Sequence, residues 1–521
     1  MKRVPPSMLG VLFLVAVGRA SASPADASGT FNVRDLGARG DGTTADTKAI
    51  QAAIDACSEH GGGVVLVPAG TYLAGPLVLK SHVELHLATG ATILGSPHLM
   101  DYLDGQTPPP SRKSKLPIPR GSSPARPLCV IGADDADDIA ITGNGTINGN
   151  GGSPDYDRGD NDPFRPFILI FRNCRDVRVS DVTLRDSGMW VQFYRRCRRV
   201  RISGVRVYSH ANLNNDGLDI DSSDVNVSDC VIDSDDDGIC LKSHDTEPCQ
   251  NVTVSNCVVA SNCNAIKFGT ASTGGFRDIT IQNCSIRPAS VHRQRTWKDT
   301  ISGLSLEMVD GGVMDGIAIS NITMTGVQTP IFIRLGARAH PGHQALRNVV
   351  ISNITARSDS PISNSITGIP DAQVENVKLS HIILNCPGGG TATMASRTIP
   401  ENVRGYPENR MFGPSLPAYG FYVRHVRNLT LDDIQLHLLN PDERPALVFD
   451  DVQQLRLTGI DMDAREADGA AITFDRAKDV LVQGCGLGGN AKALVLSSKG
   501  PLNGVGLGKS DFDSSGADPH P

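Results

Sequence analysis

The chain has 521 residues, a formal net charge of −7, 54 glycines and only 5% aromatic residues. That mixture, rich also in Val, Ile, Asn and Asp, suits many short strands joined by tight turns and disfavours a helical bundle. The modest charge is spread along the chain without a long basic stretch, which excludes nucleic acid as the expected partner.

In chain order, residues 1–22 read first as an export signal. Lys2 and Arg3 form a positive start, Met8 to Val17 an apolar run, and Ala20-Ser21-Ala22 a small-residue cleavage site. The run is well short of the roughly 20 residues that span a bilayer. The expectation is therefore a secreted protein, extracellular or periplasmic, with no membrane partner and monomeric. Export makes the 12 cysteines candidates for disulfides.

Thr47 to His60 carries apolar residues at Ala49, Ile50, Ala53, Ile54 and Cys57, which is helical spacing, with Asp46 as N-cap. Gly61-Gly62-Gly63 stops it, and strand begins at Val64. Such a helix can close the open end of a repeat array. Asp104 to Arg126, rich in Pro, Ser, Lys and Arg, is a first long interruption.

A strand pattern then recurs. It starts at Val177, Val200, Val225, Val252 and Ile279, at steps of 23, 25, 27 and 27 residues, and again at Ile317, Val349, Val377, Leu429, Leu455 and Val480. Each copy alternates apolar and polar residues, so one face is buried. A single copy cannot bury that face alone, whereas stacked copies build one continuous core. A period in the mid-twenties with no helix inside it predicts an all-β, right-handed parallel β-helix over residues 30–495. A leucine-rich repeat lacks its leucine consensus here. Cys230, Cys257 and Cys284 share one phase of the repeat and would stack. A strand spacing of about 4.8 Å permits a bridge, but the phase holds Val or Ile in other copies, so a ladder of reduced thiols is the expectation. Pro387 to Pro417 is a second interruption, between copies 52 residues apart. Such insertions become loops over one face, either decorative or ligand-binding. Residues 496–521 are expected to be a flexible tail.

Two acidic segments lie about one turn apart: Asn214-Asn215-Asp216-Gly217-Leu218-Asp219-Ile220-Asp221 and Asp235-Asp236-Asp237-Gly238. Neighbouring turns would bring at least three carboxyls into one patch. Like charges so close cost free energy unless a proton or ligand relieves them. Glycosidic hydrolysis uses such a set, one carboxylic acid protonating the leaving oxygen and one carboxylate activating water. Calcium binding and a merely acidic surface are the alternatives.

These residues resemble glycoside hydrolase family 28, the polygalacturonases and related pectin hydrolases. The resemblance runs from about Phe31 to Gly486. It is carried by Phe31-Asn32-Val33-Arg34-Asp35-Leu36-Gly37-Ala38, Gly40-Asp41-Gly42, Ile141 to Ile147, Arg165-Pro166 with Trp190, and above all Asn214-Asn215-Asp216-Gly217 and Asp236-Asp237. It implies a galacturonate-containing polysaccharide substrate and an inverting reaction without metal or organic cofactor. Asp236 would be the general acid, with Asp216 and Asp237 activating water. Asp235 stands where the family usually has Gly or Gln. Asn264 stands in place of the family's histidine, and Ser305 and Glu307 in place of its Arg-x-Lys.

Period-two alternation places Asp219, Cys240, Lys267, Ser305 and Phe332 in one outward row and Asp221, Lys242, Gly269, Glu307 and Arg334 in the next. Lys242, Lys267 and Arg334 are thus candidates to hold an acidic sugar, unless they only neutralise neighbours, as Arg334 could Glu307. Asn214, Asp219 and Asn264 complete the expected substrate-binding set. His210 and His244 flank the acidic segments and read as bystanders, and Tyr406, Arg410, Tyr419 and Tyr422 as either sugar platforms or packing. A polysaccharide lyase and a non-catalytic glycan-binding β-helix are the rival functions.

Overall fold

The computed structural model describes residues 29–103, 126–291, 300–340, 342–463 and 470–488, with single residues and short segments between and beyond them. Apart from Met1, the expected export signal lies outside the described residues, as does most of the stretch between 104 and 125.

One alternating row explains the architecture. Ile139, Val177, Val200, Val225, Val252, Ile279, Ile317, Val349, Val377, Leu429, Leu455, Val480 and Val505 are register partners on successive turns. All named strands pair in parallel, the one antiparallel contact being an isolated bridge between Ile369 and Ala372. The chain is therefore a parallel β-helix, with inward Val, Ile and Leu forming one continuous buried core. The row reaches Val505, and Leu496–Ser498 and Leu502–Leu507 both pair with Ile472–Gln483. The ladder thus runs past residue 495 into the expected tail, because Leu502 and Val505 repeat the apolar phase.

Cys230, Cys257 and Cys284 occupy successive turns, joined by backbone bonds from Val258 to Cys230 and from Ser285 to Cys257. Their row continues through Ile322, Ile354, Ile382, Ile434 and Ile460. All 12 cysteines are free thiols, so the ladder is apolar packing.

Turns are held by residues in the left-handed conformation. Asn256, Asn283, Asn321 and Asn353 have φ of 55–56°. Their amides form a chain, each Nδ2 donating one turn back: Asn283 to Asn256 at 3.4 Å, Asn321 to Asn283 at 3.0 Å, Asn353 to Asn321 at 3.0 Å. Asn tolerates this backbone and supplies the bond that locks one turn onto the next.

The N-terminal end is capped by the helix Thr47–Glu59, which buries Ile50, Ala53, Ile54 and Cys57. Asp46 is not its side-chain cap. Its carboxylate instead accepts from the backbone N–H groups of Arg39 and Gly40 at 2.7 and 3.0 Å, tying down the preceding loop.

The interruption at 387–417 is ordered, with a short helix at Ala392–Ala395 and a 3-10 turn at Asn409–Phe412. Ile399, Phe412 and Leu416 pack on Phe332, Ile362 and Tyr422 of the ladder, forming a separate apolar cluster.

Asn321→Ala should cost about 1–2 kcal/mol, combining left-handed strain with two lost amide bonds. Asn321→Gly should lose less. Urea midpoints read the difference, and equal losses would remove the strain contribution.

Candidate active site

The two acidic motifs meet because glycines let successive turns approach closely. Gly217 N–H donates to the Asp237 carbonyl, and Gly238 N–H to the Asn264 carbonyl, each at 2.8 Å. A Cβ on Gly217 would lie 2.5 Å from Ile232 and 2.8 Å from the Gly238 carbonyl. On Gly238 it would lie 2.4 Å from Val259 and 2.5 Å from the Ala265 carbonyl. No other residue fits, so Asp216, Asp237 and Asn264 stack on three consecutive turns.

Fully buried asparagine amides shape the first turn. Asn215 donates to the Ser187 and Met189 carbonyls and accepts from Ser209. Asn214, at φ 54°, accepts from Arg165 at 2.7 Å and donates towards Asp236 at 3.4 Å. Arg165 is fully buried and also bonds the Leu213 carbonyl at 2.6 Å. Asp236 Oδ1 accepts from the Asp237 N–H at 3.0 Å. Asp235 is placed elsewhere: it is fully buried and accepts from Asn262 at 3.1 Å. The pair facing Asp216 is thus Asp236 and Asp237.

Charges in this cluster are paired unevenly. Asp237 accepts from Asn264 at 2.8 Å and from Lys267 at 3.1 Å. Burial opposes its charge, but Lys267, Lys242 and Asn264 overcome that and hold its carboxyl down at about 2. Asp216 goes the other way: burial, with Asp219 and Asp236 nearby, pushes it well above the usual carboxylate range against the pull of Lys242. Asp219 is pushed up to about 6, again chiefly by burial, although Lys242 lies 3.1 Å away. At neutral pH the cluster therefore holds a proton on its Asp216 side and excludes it from Asp237.

Lys242 and Lys267 both reach the cluster. Lys242 sits 3.1 Å from Asp219, 3.7 Å from Asp216 and 4.4 Å above the Trp190 ring. Lys267 lies between Asp237 and Glu307, the latter at 3.7 Å. Glu307 is fully buried, accepts from Ser305 at 2.7 Å, and is pushed up to about 7 by burial despite Lys267. Arg334 does not join them. It is the register partner of Glu307, yet its guanidinium turns to the carbonyls of Gly368, Glu401 and Asn402 and is fully buried. It anchors the 387–417 insertion, because donors so deeply buried must find acceptors.

The insertion brings residues that spacing alone could not place. The Tyr406 ring is half exposed and stands 5.8 Å from Lys267 Nζ. Burial raises Glu408, while Lys267 and Arg410 pull it down, which places all three near one another. Tyr419 and Tyr422 are packing, both buried. His210 bonds Asp233 at 2.9 Å and His244 bonds Asp221 at 2.8 Å, outside the Asp216–Asp236–Asp237 group. Cys263 was not foreseen: its sulfur and one oxygen each of Asp236 and Asp237 lie within 4.8 Å of one another. Among the described residues this trio has the donor set for a cation. Burial keeps the Cys263 thiol protonated, which makes it a neutral neighbour of the carboxylates.

A stacked solenoid with a row of carboxyls and lysines on one outer face is a carbohydrate-active type of β-helix. Residues 57–403 match the model of Glycosyl hydrolases family 28, and the chain belongs to that family. A probable polygalacturonase of Vitis vinifera is 32% identical over 219 residues, 40% of this chain and 43% of the relative. An exo-poly-alpha-D-galacturonosidase of Dickeya chrysanthemi is 40% identical over 129 residues, 23% of this chain and 19% of the relative. The chain thus spans less than half the length of these curated relatives. The crystal structure of a hyperthermoactive exopolygalacturonase from Thermotoga maritima superposes with a TM-score of 0.59 at 21% identity, covering 78% of this chain and 91% of that one. That likeness shows the fold. No helix among the described residues is long and apolar enough to cross a membrane.

Glu307 generates a stability prediction. Its folded value of about 7 exceeds the ordinary 4.5, so the native state binds the proton more tightly. Its favourable contribution is complete below about 4.5 and is lost as pH rises towards 7. Across that window wild type should lose up to about 3 kcal/mol relative to Glu307→Gln. Thermal melts of both proteins at pH 4.5, 6 and 7.5 check this, and a pH-independent difference would sink it.

Proposed function

We propose that the chain is an exported glycoside hydrolase acting on a pectin-like, galacturonate-containing polysaccharide. The observation that carries this reading is the divided ionisation of one carboxyl cluster. Asp237 is held ionised by Lys267 and Asn264, while Asp216, beside Asp236, is driven towards the protonated form. Pairs of carboxyls pushed apart in this way supply a base and an acid at one pH.

In this reaction Asp237 takes a proton from water as the water oxygen bonds the anomeric carbon. The glycosidic C–O bond breaks, and the leaving oxygen receives a proton from Asp236, the most exposed of the three at 8%. Resemblance pairs Asp216 with Asp237 as water activators, whereas the electrostatics favour Asp216 as a proton-holding partner of Asp236. Lys267 keeps the base charged, and Lys242 balances Asp219. The Asn264 Oδ1 lacks a hydrogen-bond partner at 2% exposure, which suits a contact with a substrate hydroxyl. The scheme draws only on side chains. The composition of residues 1–22 supports export.

Inversion rests on the resemblance. One observation favours a second course: Asp236 and Asp237 have oxygens within 4.8 Å, nearer the carboxyl spacing of about 5–5.5 Å in retaining enzymes than the 6.5–9.5 Å of inverting ones. In that course Asp237 attacks the anomeric carbon itself. Proton NMR of the first-formed anomer separates the two.

Asp236→Asn and Asp237→Asn should each lower kcat by about 10²–10⁴-fold on pectic oligosaccharides. Retention of full turnover by both would leave a glycan-binding protein only. Lys267→Met should shift the acidic limb of the pH–rate profile upward, since Asp237 without its cation protonates at a higher pH. An unmoved limb would remove Asp237 as the base.

A further inference from the structure

The ladder face that carries the carboxyls is different on its two sides. One outward row runs in register through Ile170, Phe193, Asp219, Cys240, Lys267, Ser305 and Phe332. Towards the N-terminal turns, Phe193 meets Trp190 edge-on with centroids 5.3 Å apart, and Trp190 meets Phe167 at 5.6 Å. Trp190 and Phe167 are half-buried, forming an aromatic ledge. Lys242, over the Trp190 ring and 3.1 Å from Asp219, joins this ledge to the carboxyls.

Towards the C-terminal turns the same face is roofed. Phe332, the next step after Ser305, is 1% exposed and lies beneath Phe412 and Leu416 of the insertion. Asn409 pins that roof to the ladder by donating to the Ile301 carbonyl and Thr329 Oγ1, both at 3.1 Å. Tyr406 stands at its edge beside Lys267, half exposed. A chain of sugars leaving the carboxyls has open surface on the Trp190 side and a wall on the Tyr406 side.

We infer that the groove is one-ended: the body of the polymer lies over the Trp190 ledge, and its terminal sugar abuts the wall edged by Tyr406, so cleavage proceeds from a chain end. Aromatic rings present flat apolar faces against which the C–H face of a pyranose packs. The inference rests on the hydrolase reading above, and it adds the direction in which the substrate is held.

The test uses wild-type protein and pectic oligosaccharides of increasing length, labelled at one end or the other. The expected result is release of a short product of uniform size from one labelled end, with polymer viscosity falling slowly for each bond cut. Mixed internal fragments with an early collapse of viscosity would overturn the one-ended groove. Trp190→Ala should weaken KM by an amount that grows with length, reaching about three- to ten-fold for long oligosaccharides, and Trp190→Phe should recover most of it. A length-independent loss would overturn the ledge. If wild type hydrolysed none of these, the hydrolase reading would fail. Calorimetry with the same oligosaccharides would then decide the ledge separately. Affinity that rises with length and falls in Trp190→Ala supports it, and affinity indifferent to length does not.

Discussion

Everything in this molecule depends on parallel turns stacking in register. The register row from Ile139 to Val505 fixes which residues face inward, and alternation then fixes which face out. A slip of one residue anywhere in the row would turn core side chains to solvent, so burial itself enforces the alignment. Gly217 and Gly238 sharpen that alignment at the one place where the chemistry requires it. Their missing side chains let three turns close up, and carboxyls distant in sequence become neighbours on one strip of surface.

That proximity has an electrostatic cost, which the site meets with buried cations. Lys242 and Lys267 are 7% and 3% exposed and each lies between two carboxyls. A buried ammonium is costly unless paired, as is a buried carboxylate, so each stabilises the charged form of the other. The pairing is unequal, and the inequality matters. Asp237 is favoured by both lysines and an amide and stays ionised, while Asp216, crowded by Asp219 and Asp236, does not. A symmetrical arrangement would have given carboxyls of one kind and no division between acid and base.

Much of this was legible before any coordinates. The strand copies starting between Val177 and Val480 are the observed register partners, because a period-two pattern repeated at fixed spacing admits only one stacking. The outward row from Asp219 to Phe332 followed from the same alternation. What escaped was set by side-chain direction and by the insertion. Arg334 occupies its expected register position beside Glu307, yet its long side chain turns towards carbonyls of a segment about 67 residues further on. Asp46 precedes a helix but bonds backbone on the opposite side. Tyr406 and Glu408 lie in a stretch without periodicity, so no pattern could carry them to Lys267. Cys263 seemed a core thiol like the other cysteines, and only the third dimension sets it beside two aspartates.

The clamp beneath the insertion has a consequence for how the protein can vary. Arg334 and Arg424 hold that segment through carbonyl oxygens, those of Ile399, Pro400, Glu401 and Asn402, rather than through side chains. A grip on backbone oxygens is blind to residue identity, so the mounting persists whatever the crest above it displays. The crest between Asn402 and Phe412 therefore works as an exchangeable faceplate, open to new residues while the carboxyl machinery below stays as it is.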